Sequence, residues 1–452
     1  MKFTLLTFGC QMNVNDGDWL RRALLARGFE ESAPEDARVF IVNTCSVRDK
    51  PEQKVYSLLG RLKELHERNP EVFVAVGGCV AQQLGTKFWG RYAFVRLVFG
   101  TDGVLMAPQA IERLCHEPDL RLSLLDFSAD YPERPLFTAL GGGPGQSAFV
   151  NIMQGCDNFC AYCIVPYTRG RPKSRSSAAV LAECRDLVEH GAREITLLGQ
   201  NVNAYGLDDR GDGTRFAQLL RQVDALPGLR RLRFTTSHPK DLDDEVIAMF
   251  GELETLCPQL HLPLQSGSDR MLARMGRKYT LARYLDLVEG LKRTRPDIAL
   301  STDLIVGFPG ETDEDFRATL AVMETADFEQ SFSFCYSDRP GVAAATMTPK
   351  IEPEVKAARL EELQGVQRRL TRRAYERMVG QRVEVLLEGL SRIQRAGEDA
   401  GTPSWRGRDA HNRVVNLTPQ GKTTGLAGML VAADIMEAKK HSLLGKAAGD
   451  PW

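Results

Sequence analysis

Short apolar runs alternate with stretches of helical periodicity along the first hundred residues. Residues 3–8, 39–42, 72–76 and 95–99 are apolar runs of strand length. Runs this short, bounded by polar residues, predict buried strands. Between them, 16–27 and 52–67 repeat apolar positions every three or four residues, and 111–114 falls in a further such stretch. Strand and helix in alternation predict a parallel sheet covered by helices. A looser segment at 127–146, containing YPERP and LGGGPGQ, reads as a linker. Its glycines lack the lysine and the following helix of a phosphate loop. The alternation then resumes, with strands predicted at 148–153, 194–198, 231–235, 259–262, 299–306 and 330–334, and helices at 177–190, 216–225, 243–250 and 281–293. Six β/α units predict an open or partial barrel with its reactive residues at the carboxyl ends of the strands. A charged helix at 356–377 precedes strand-like runs at 382–387, 412–417 and 429–437, which predict a small all-β barrel. The expected fold class is α/β. A parallel α/β sheet domain spans 1–126, a linker 127–146, a central partial (β/α) barrel 147–376 and an all-β barrel 377–447.

The length of 452 residues accommodates about three domains. A net charge of −1 excludes a global polycation, so any nucleic-acid surface is local. No apolar run approaches the roughly 20 residues of a membrane span. The amino-terminal apolar stretch has no small-residue cleavage site and reads as a first strand, so a cytoplasmic location without membrane contact is expected. Ten cysteines are too sparse for a disulfide scaffold and in a reducing compartment point to metal or redox work.

Cys156, Cys160 and Cys163 sit in GCDNFCAYC, directly after a predicted strand. Thiolates hold iron–sulfur clusters, and three of them leave one corner of a four-iron cluster open. A zinc knuckle is the plainer alternative, but zinc takes four ligands and no fourth Cys or His is near. Cys10, Cys45 and Cys79 are far apart in the chain, yet each follows a predicted strand: TLLTFGC, VFIVNTC and VFVAVGGC. Parallel strands lie about 4.8 Å apart, so three strand ends can face one point. Glycines 9, 77 and 78 would then let backbone approach a bulky cluster. The plainer reading is three buried core thiols. Cys115, Cys184, Cys257 and Cys335 show no comparable spacing and read as core thiols.

From Arg359 to the end the chain holds sixteen basic and eleven acidic residues, a local charge of +5. Arg368, Arg369, Arg372, Arg373, Arg377 and Arg382 concentrate it, with Lys439, Lys440 and Lys446 later. A phosphate-contacting surface and a solvated helix face fit this charge equally well.

The run CDNFCAYCIVPYTRGRPKSR resembles the cluster loop of the radical S-adenosylmethionine superfamily. That resemblance places Tyr162 near the adenine, Gly199 and Gln200 near the methionine amino group, and Ser237, in FTTSHP, near the ribose. IVGFPGE, which includes Val306, would line the adenine. MVGQRVEVLLEG, HNRVVNL and HSLLGKA resemble a TRAM domain, a small RNA-binding barrel. The whole order resembles the methylthiotransferase family. PYTRG and LLGQNVNAYG resemble the branch acting on isopentenyl-adenosine in tRNA, whose siblings act on threonylcarbamoyl-adenosine or on a ribosomal-protein aspartate. The resemblance implies two [4Fe–4S] clusters, one cleaving S-adenosylmethionine and one auxiliary and sulfur-donating. It implies no catalytic side chain beyond the cluster ligands. The implied partners are the anticodon stem-loop of a tRNA, an electron donor such as flavodoxin or ferredoxin, and an iron–sulfur carrier, with the enzyme a monomer. The C2–H bond of adenine is unactivated, so a cofactor must carry its cleavage. A non-catalytic tRNA-binding protein with structural zinc is the reading from another class.

Overall fold

The computed structural model describes residues 1–46, 49–136, 145–391, 404–418 and 424–452. The first unit runs β1 (Lys2–Thr7), α1 (Gln11–Leu25), β2 (Glu30–Glu31), β3 (Val39–Thr44), α2 (Asp49–Arg68), β4 (Phe73–Gly78), α3 (Cys79–Leu84), α4 (Lys87–Arg91), β5 (Val95–Phe99), α5 (Ala107–His116) and β6 (Leu122–Leu124). Its strands form one parallel sheet in the order β2-β1-β3-β4-β5-β6. β3 and β4 are buried at every position, as a sheet covered on both faces requires. Val39 and Ile41 pack with Trp19 and Leu20 of α1, whereas Phe40 and Val42 pack with Val55 and Leu59 of α2.

The second unit continues with β7 (Ser147–Asn151), β8 (Met153–Gln154), α6 (Val165–Arg169), β9 (Lys173–Ser174), α7 (Ser177–Glu189), β10 (Glu194–Leu198), α8 (Phe216–Asp224), β11 (Arg231–Thr235), α9 (Asp244–Glu252) and β12 (Gln259–His261). It ends with α10 (Asp269–Arg274), α11 (Leu281–Thr294), β13 (Ala299–Val306), α12 (Asp313–Ala326), β14 (Gln330–Cys335) and α13 (Pro353–Glu376). The six long strands are parallel, in two sheets of order β11-β10-β7 and β12-β13-β14, joined by a bridge from Leu232 to Leu256. Five helices start on a Ser, Thr or Asp whose side chain accepts a first-turn N–H: Ser176, Asp243, Ser268, Thr280 and Thr312. The short β8–β9 hairpin, which brackets the cysteine loop, was not expected from the hydrophobic pattern.

The last unit is a closed barrel of β15 (Arg382–Leu390), β16 (Trp405–Arg408), β17 (Val414–Thr418), β18 (Leu430–Ala438) and β19 (Leu443–Ala447), ordered β15-β16-β17-β19-β18. β16 adds a strand within 392–408, a stretch for which the hydrophobic pattern predicts none: Trp405–Arg408 pair with both β15 and β17. Residues 392–403 of that stretch, and 137–144 of the proposed linker, lie outside the described residues.

The basic cluster of this region also reads differently in three dimensions. Arg369 pairs with Glu324, Arg373 and Arg377 with Asp327, Arg372 with Glu376 and Arg382 with Asp434. Most of the partners come from α12 and β18, remote in sequence, so counting charges along the chain overstates the free positive charge.

The turn between β16 and β17 plugs the amino-terminal end of the core barrel. Arg231 and Arg233, 3% and 6% exposed, donate to the carbonyls of Arg408, Glu384, Ala410 and Asp409. Arg413 grips Glu329, just ahead of β14, through two hydrogen bonds of 2.7 Å each. His411 reaches Asp297, ahead of β13, at 3.1 Å. Breaking a buried pair by removing one partner costs about 3–5 kcal/mol, because the other charge stays buried. Arg413→Ala is therefore expected to lower the urea midpoint by that equivalent, measured by circular dichroism.

Candidate active site

Cys156, Cys160 and Cys163 occupy the loop from β8 into α6. Backbone bonds hold that loop: Cys156 N–H to Gly170 at 3.1 Å, Ala161 N–H to Met275 at 2.8 Å and Cys163 N–H to Cys160 at 2.9 Å. Asn158 Nδ2 lies 3.5 Å from the Cys156 sulfur, and Arg277 Nη1 lies 3.4 Å from that of Cys160. Burial and the neighbouring Cys160 push the Cys163 thiol up to about 12. Burial raises Cys156 too, with Cys160 adding to it. Thiols raised in this way need a cation to become thiolates, and bound iron provides one. Among the described residues no three His, Cys, Asp or Glu side chains gather as a site for a single metal ion.

Of the residues expected around S-adenosylmethionine, Tyr162 belongs to this loop and Gln200 touches it. Tyr162 packs against a cluster containing Met271, Met275 and Phe308, and its hydroxyl accepts from Arg277 at 3.4 Å. Gly199 follows β10, and a Cβ there would stand 2.6 Å from Met153 Cγ. Gln200 accepts from the Gly155 N–H at 2.6 Å and touches the Met12 sulfur with its amide. Ser237, 2% exposed, follows β11, and its hydroxyl has no hydrogen-bond partner among the described residues. Asn201 Oδ1 and His238 Nε2 are in the same condition. Burial pushes His238 down to about 2, so it is a neutral acceptor or donor. Such orphaned groups are hydrogen-bonding capacity that a polar ligand would use. Val306 is 1% exposed and packed in the core, and its carbonyl accepts from the Tyr336 N–H at 2.8 Å.

Cys10, Cys45 and Cys79 stand at the carboxyl ends of β1, β3 and β4, neighbours in the sheet. Gly9 has φ +132°, and a Cβ there would lie 2.2 Å from Cys45 Cβ; at Gly78, φ +86°, it would lie 2.3 Å from the Thr44 carbonyl. These glycines let the strand ends approach one another. Asn13 ties the ends together, donating to Thr44 O at 2.7 Å and accepting from the Cys10 thiol at 3.3 Å. A hydrogen bond with Cys45 lowers the Cys10 thiol to about 6 against the opposing effect of burial, and Arg169 helps. Thiolate is the alkylating nucleophile. In metal-free protein, iodoacetamide labelling of Cys10 is thus expected to rise with pH around 6, while Cys163 stays unlabelled through neutrality, as read by peptide mass spectrometry.

The elements that carry the two cysteine sets pack on one another across the boundary of the first and second units. α6, which follows Cys163, packs on α3, which begins at Cys79. Gln200 spans from the Cys156 loop to the residue after next from Cys10. Lys173 pairs with the buried Asp102, which also accepts from Gln154, and Thr101 donates to Thr168 O at 3.0 Å. Arg134 meets Asp16 at 2.6 Å. Arg169 feels Cys79, Asp16, Cys10 and Cys45 together, which raise its pKa despite burial. Arg169, Asp16, Asp102, Lys173 and Arg277 escaped the sequence reading. Only the placement of Arg169 within PYTRG could have flagged it, and spacing does not separate that arginine from its neighbours.

Residues 150–323 match the radical SAM superfamily model, and residues 2–100 match a family described as uncharacterized, UPF0004. A tRNA-2-methylthio-N(6)-dimethylallyladenosine synthase of Nitratidesulfovibrio vulgaris is 60% identical over 451 residues, covering 100% of this chain and 99% of its own. A protein of the same name from Oleidesulfovibrio alaskensis is 58% identical, covering 99% and 98%. Among solved structures, the radical S-adenosylmethionine methyltransferase TsrM from Kitasatospora setae matches with a TM-score of 0.54 at 16% identity, over 76% of this chain and 73% of that one. That likeness extends to the fold alone. With identity this high over the full length, the chain belongs to the tRNA-2-methylthio-N(6)-dimethylallyladenosine synthase family of radical SAM proteins.

Proposed function

We propose that this chain is a tRNA methylthiotransferase converting N6-isopentenyladenosine beside the anticodon to its 2-methylthio derivative. Its superfamily carries a [4Fe–4S] cluster and S-adenosylmethionine. We assign the cluster to Cys156, Cys160 and Cys163, and a second, auxiliary cluster to Cys10, Cys45 and Cys79. The observation that supports the reading is the packing of the helix that follows Cys163 on the helix that begins at Cys79. When bound, the cofactors supply a carbon radical able to take the C2 hydrogen, and sulfur for the new bond. The chain's own residues do the positioning. Arg277 braces Cys160 and Tyr162 together. Gln200 couples the Cys156 loop to α1. Ser237, Asn201 and His238 offer neutral hydrogen bonds, which bind a polar cosubstrate without adding a side-chain acid or base. The adenine must leave its loop stack to reach them.

The closed barrel at the carboxyl end is assigned to tRNA contact. An external electron donor, an iron–sulfur carrier, a cytoplasmic setting and a monomeric state complete the reading. Among the described residues no helix is long and apolar enough to cross a membrane. Nucleoside mass spectrometry of tRNA from cells lacking the gene tests it. Loss of the 2-methylthio nucleoside with accumulation of isopentenyladenosine is expected; an unchanged profile would reject the substrate.

A further inference from the structure

Leu300, Leu304 and Val306 of β13 are buried in one core with Leu287 and Leu291 of α11 and Val322 and Met323 of α12. Side chains alternate along a strand, so Ser301, Asp303 and Ile305 point the other way, into the barrel. Register sets His261 of β12 beside Ser301, and Phe332 of β14 beside Asp303. Ile305 packs against the buried group of Met275 and Phe308, as does Tyr162 of the cysteine loop. Asp303 is two residues earlier, about 6.6 Å deeper along the strand. It therefore stands between the cysteine loop and the plugged end, where His411 meets Asp297. Its carboxylate is 29% exposed and meets His261 Nε2 at 3.5 Å. The other ring nitrogen, Nδ1, lies 3.0 Å from the Ser301 hydroxyl. With that hydroxyl donating to Nδ1, the ring proton sits on Nε2 and faces the carboxylate. The Phe332 ring meets His261 edge-to-face at 5.8 Å and is 46% exposed.

An ionised carboxylate accepts hydrogen bonds and donates none. The half-exposed phenyl ring on the next strand adds an apolar wall. Together they match a group that joins an N–H donor and an apolar tail on one atom, and N6 of isopentenyladenosine is such an atom. C6, which bears N6, and C2 are the two carbons flanking N1, so both belong to one edge of the base. A base presenting C2 toward the cysteine loop thus carries N6 to a neighbouring place on the barrel wall. We infer that Asp303 accepts a hydrogen bond from the N6–H of the substrate base and that Phe332 packs on its isopentenyl tail. The inference deepens the substrate proposed above and rests on it. His261 holds one carboxylate oxygen and leaves the other for the base. The adenine of S-adenosylmethionine also has N–H donors at N6 but no tail, so Phe332 favours the RNA base, and the test separates the two.

The test uses the reconstituted full chain and two anticodon stem-loops, one with N6-isopentenyladenosine and one in which an ether oxygen replaces its N6–H. The parent enzyme should prefer the amine about 10- to 100-fold in kcat/KM for methylthio product, the range for a hydrogen bond to a charged group. In Asp303→Ala the preference should fall to within about threefold, because the acceptor is gone. Should that variant hold less iron than the parent, Asp303→Asn decides. Its amide can donate to the ether oxygen, so the preference should again fall to within about threefold. Phe332→Ala should lose about tenfold for the isopentenylated loop relative to one bearing N6-methyladenosine, and an unchanged ratio overturns the tail contact. Equal use of the two loops by the parent, or a parental preference in the deciding Asp303 variant, overturns the N6 contact. Weaker equilibrium binding of S-adenosylmethionine by that variant, measured without RNA, assigns the carboxylate to the cosubstrate and also overturns it. No product from either loop with the parent enzyme instead removes the substrate reading itself.

Discussion

Replacing Cys156, Cys160 or Cys163 by alanine is expected to abolish S-adenosylmethionine cleavage. Product should fall to the detection limit, since the cofactor carries the step and enzymatic accelerations exceed about a millionfold. The loop geometry argues for so complete a loss. Its turns are pinned to Gly170, to Met275 and within itself, so no other sulfur can swing into a vacated position. Cys184, Cys257 and Cys335 belong to other elements: Cys184 lies inside α7, Cys257 precedes β12 and Cys335 ends β14. Iron in the reconstituted variant should drop from about eight to about four per chain. A variant that still released deoxyadenosine at the parent rate would move the cluster elsewhere.

The second large effect is expected from Cys10→Ala, and it should have a different signature. Cys10, Cys45 and Cys79 lie in the first unit, and the Cys156 loop keeps its own backbone contacts without them. The variant should therefore still cleave S-adenosylmethionine, and reductively formed deoxyadenosine should be measurable by liquid chromatography. Methylthiolated nucleoside should be absent. Iron should again fall to about four per chain, now from the other site. Product at the parent rate would end the sulfur-donor assignment for the first cysteine set. Loss of both activities together would point to a damaged interface rather than to a missing ligand.

Much of this architecture was readable in advance, for physical reasons that differ by region. β3 and β4 are buried on both faces, so they register as uninterrupted apolar runs such as VFIVNT and VFVAVGG. The convergence of Cys10, Cys45 and Cys79 followed from parallel strands alone, since sheet neighbours end side by side. Hairpin β8–β9 was missed because each strand has two residues, too few for any period to show. β16 was missed because WRGR is polar on one face and lies beside a glycine-rich stretch. The arginine cluster misled because pairing depends on α12 and β18, which no local window contains. Arg169, Asp16 and Arg134 come from three separate segments, and only the docking of the first unit on the second brings them together.

The plugged end of the core barrel makes the terminal barrel non-modular. Cutting the chain after α13 would strip the carbonyl acceptors from Arg231 and Arg233, leaving the two to share Glu194, and would take the partner from Glu329 at the floor of the radical domain. A truncation meant to ask whether that barrel recognises RNA would therefore report collapse of its neighbour instead. Grafting a barrel from a relative would succeed only if the donor kept an arginine equivalent to Arg413 and the same carbonyl-lined turn. Engineers of altered tRNA specificity should edit outward-facing side chains of β18 and β19 and leave the inserted turn alone.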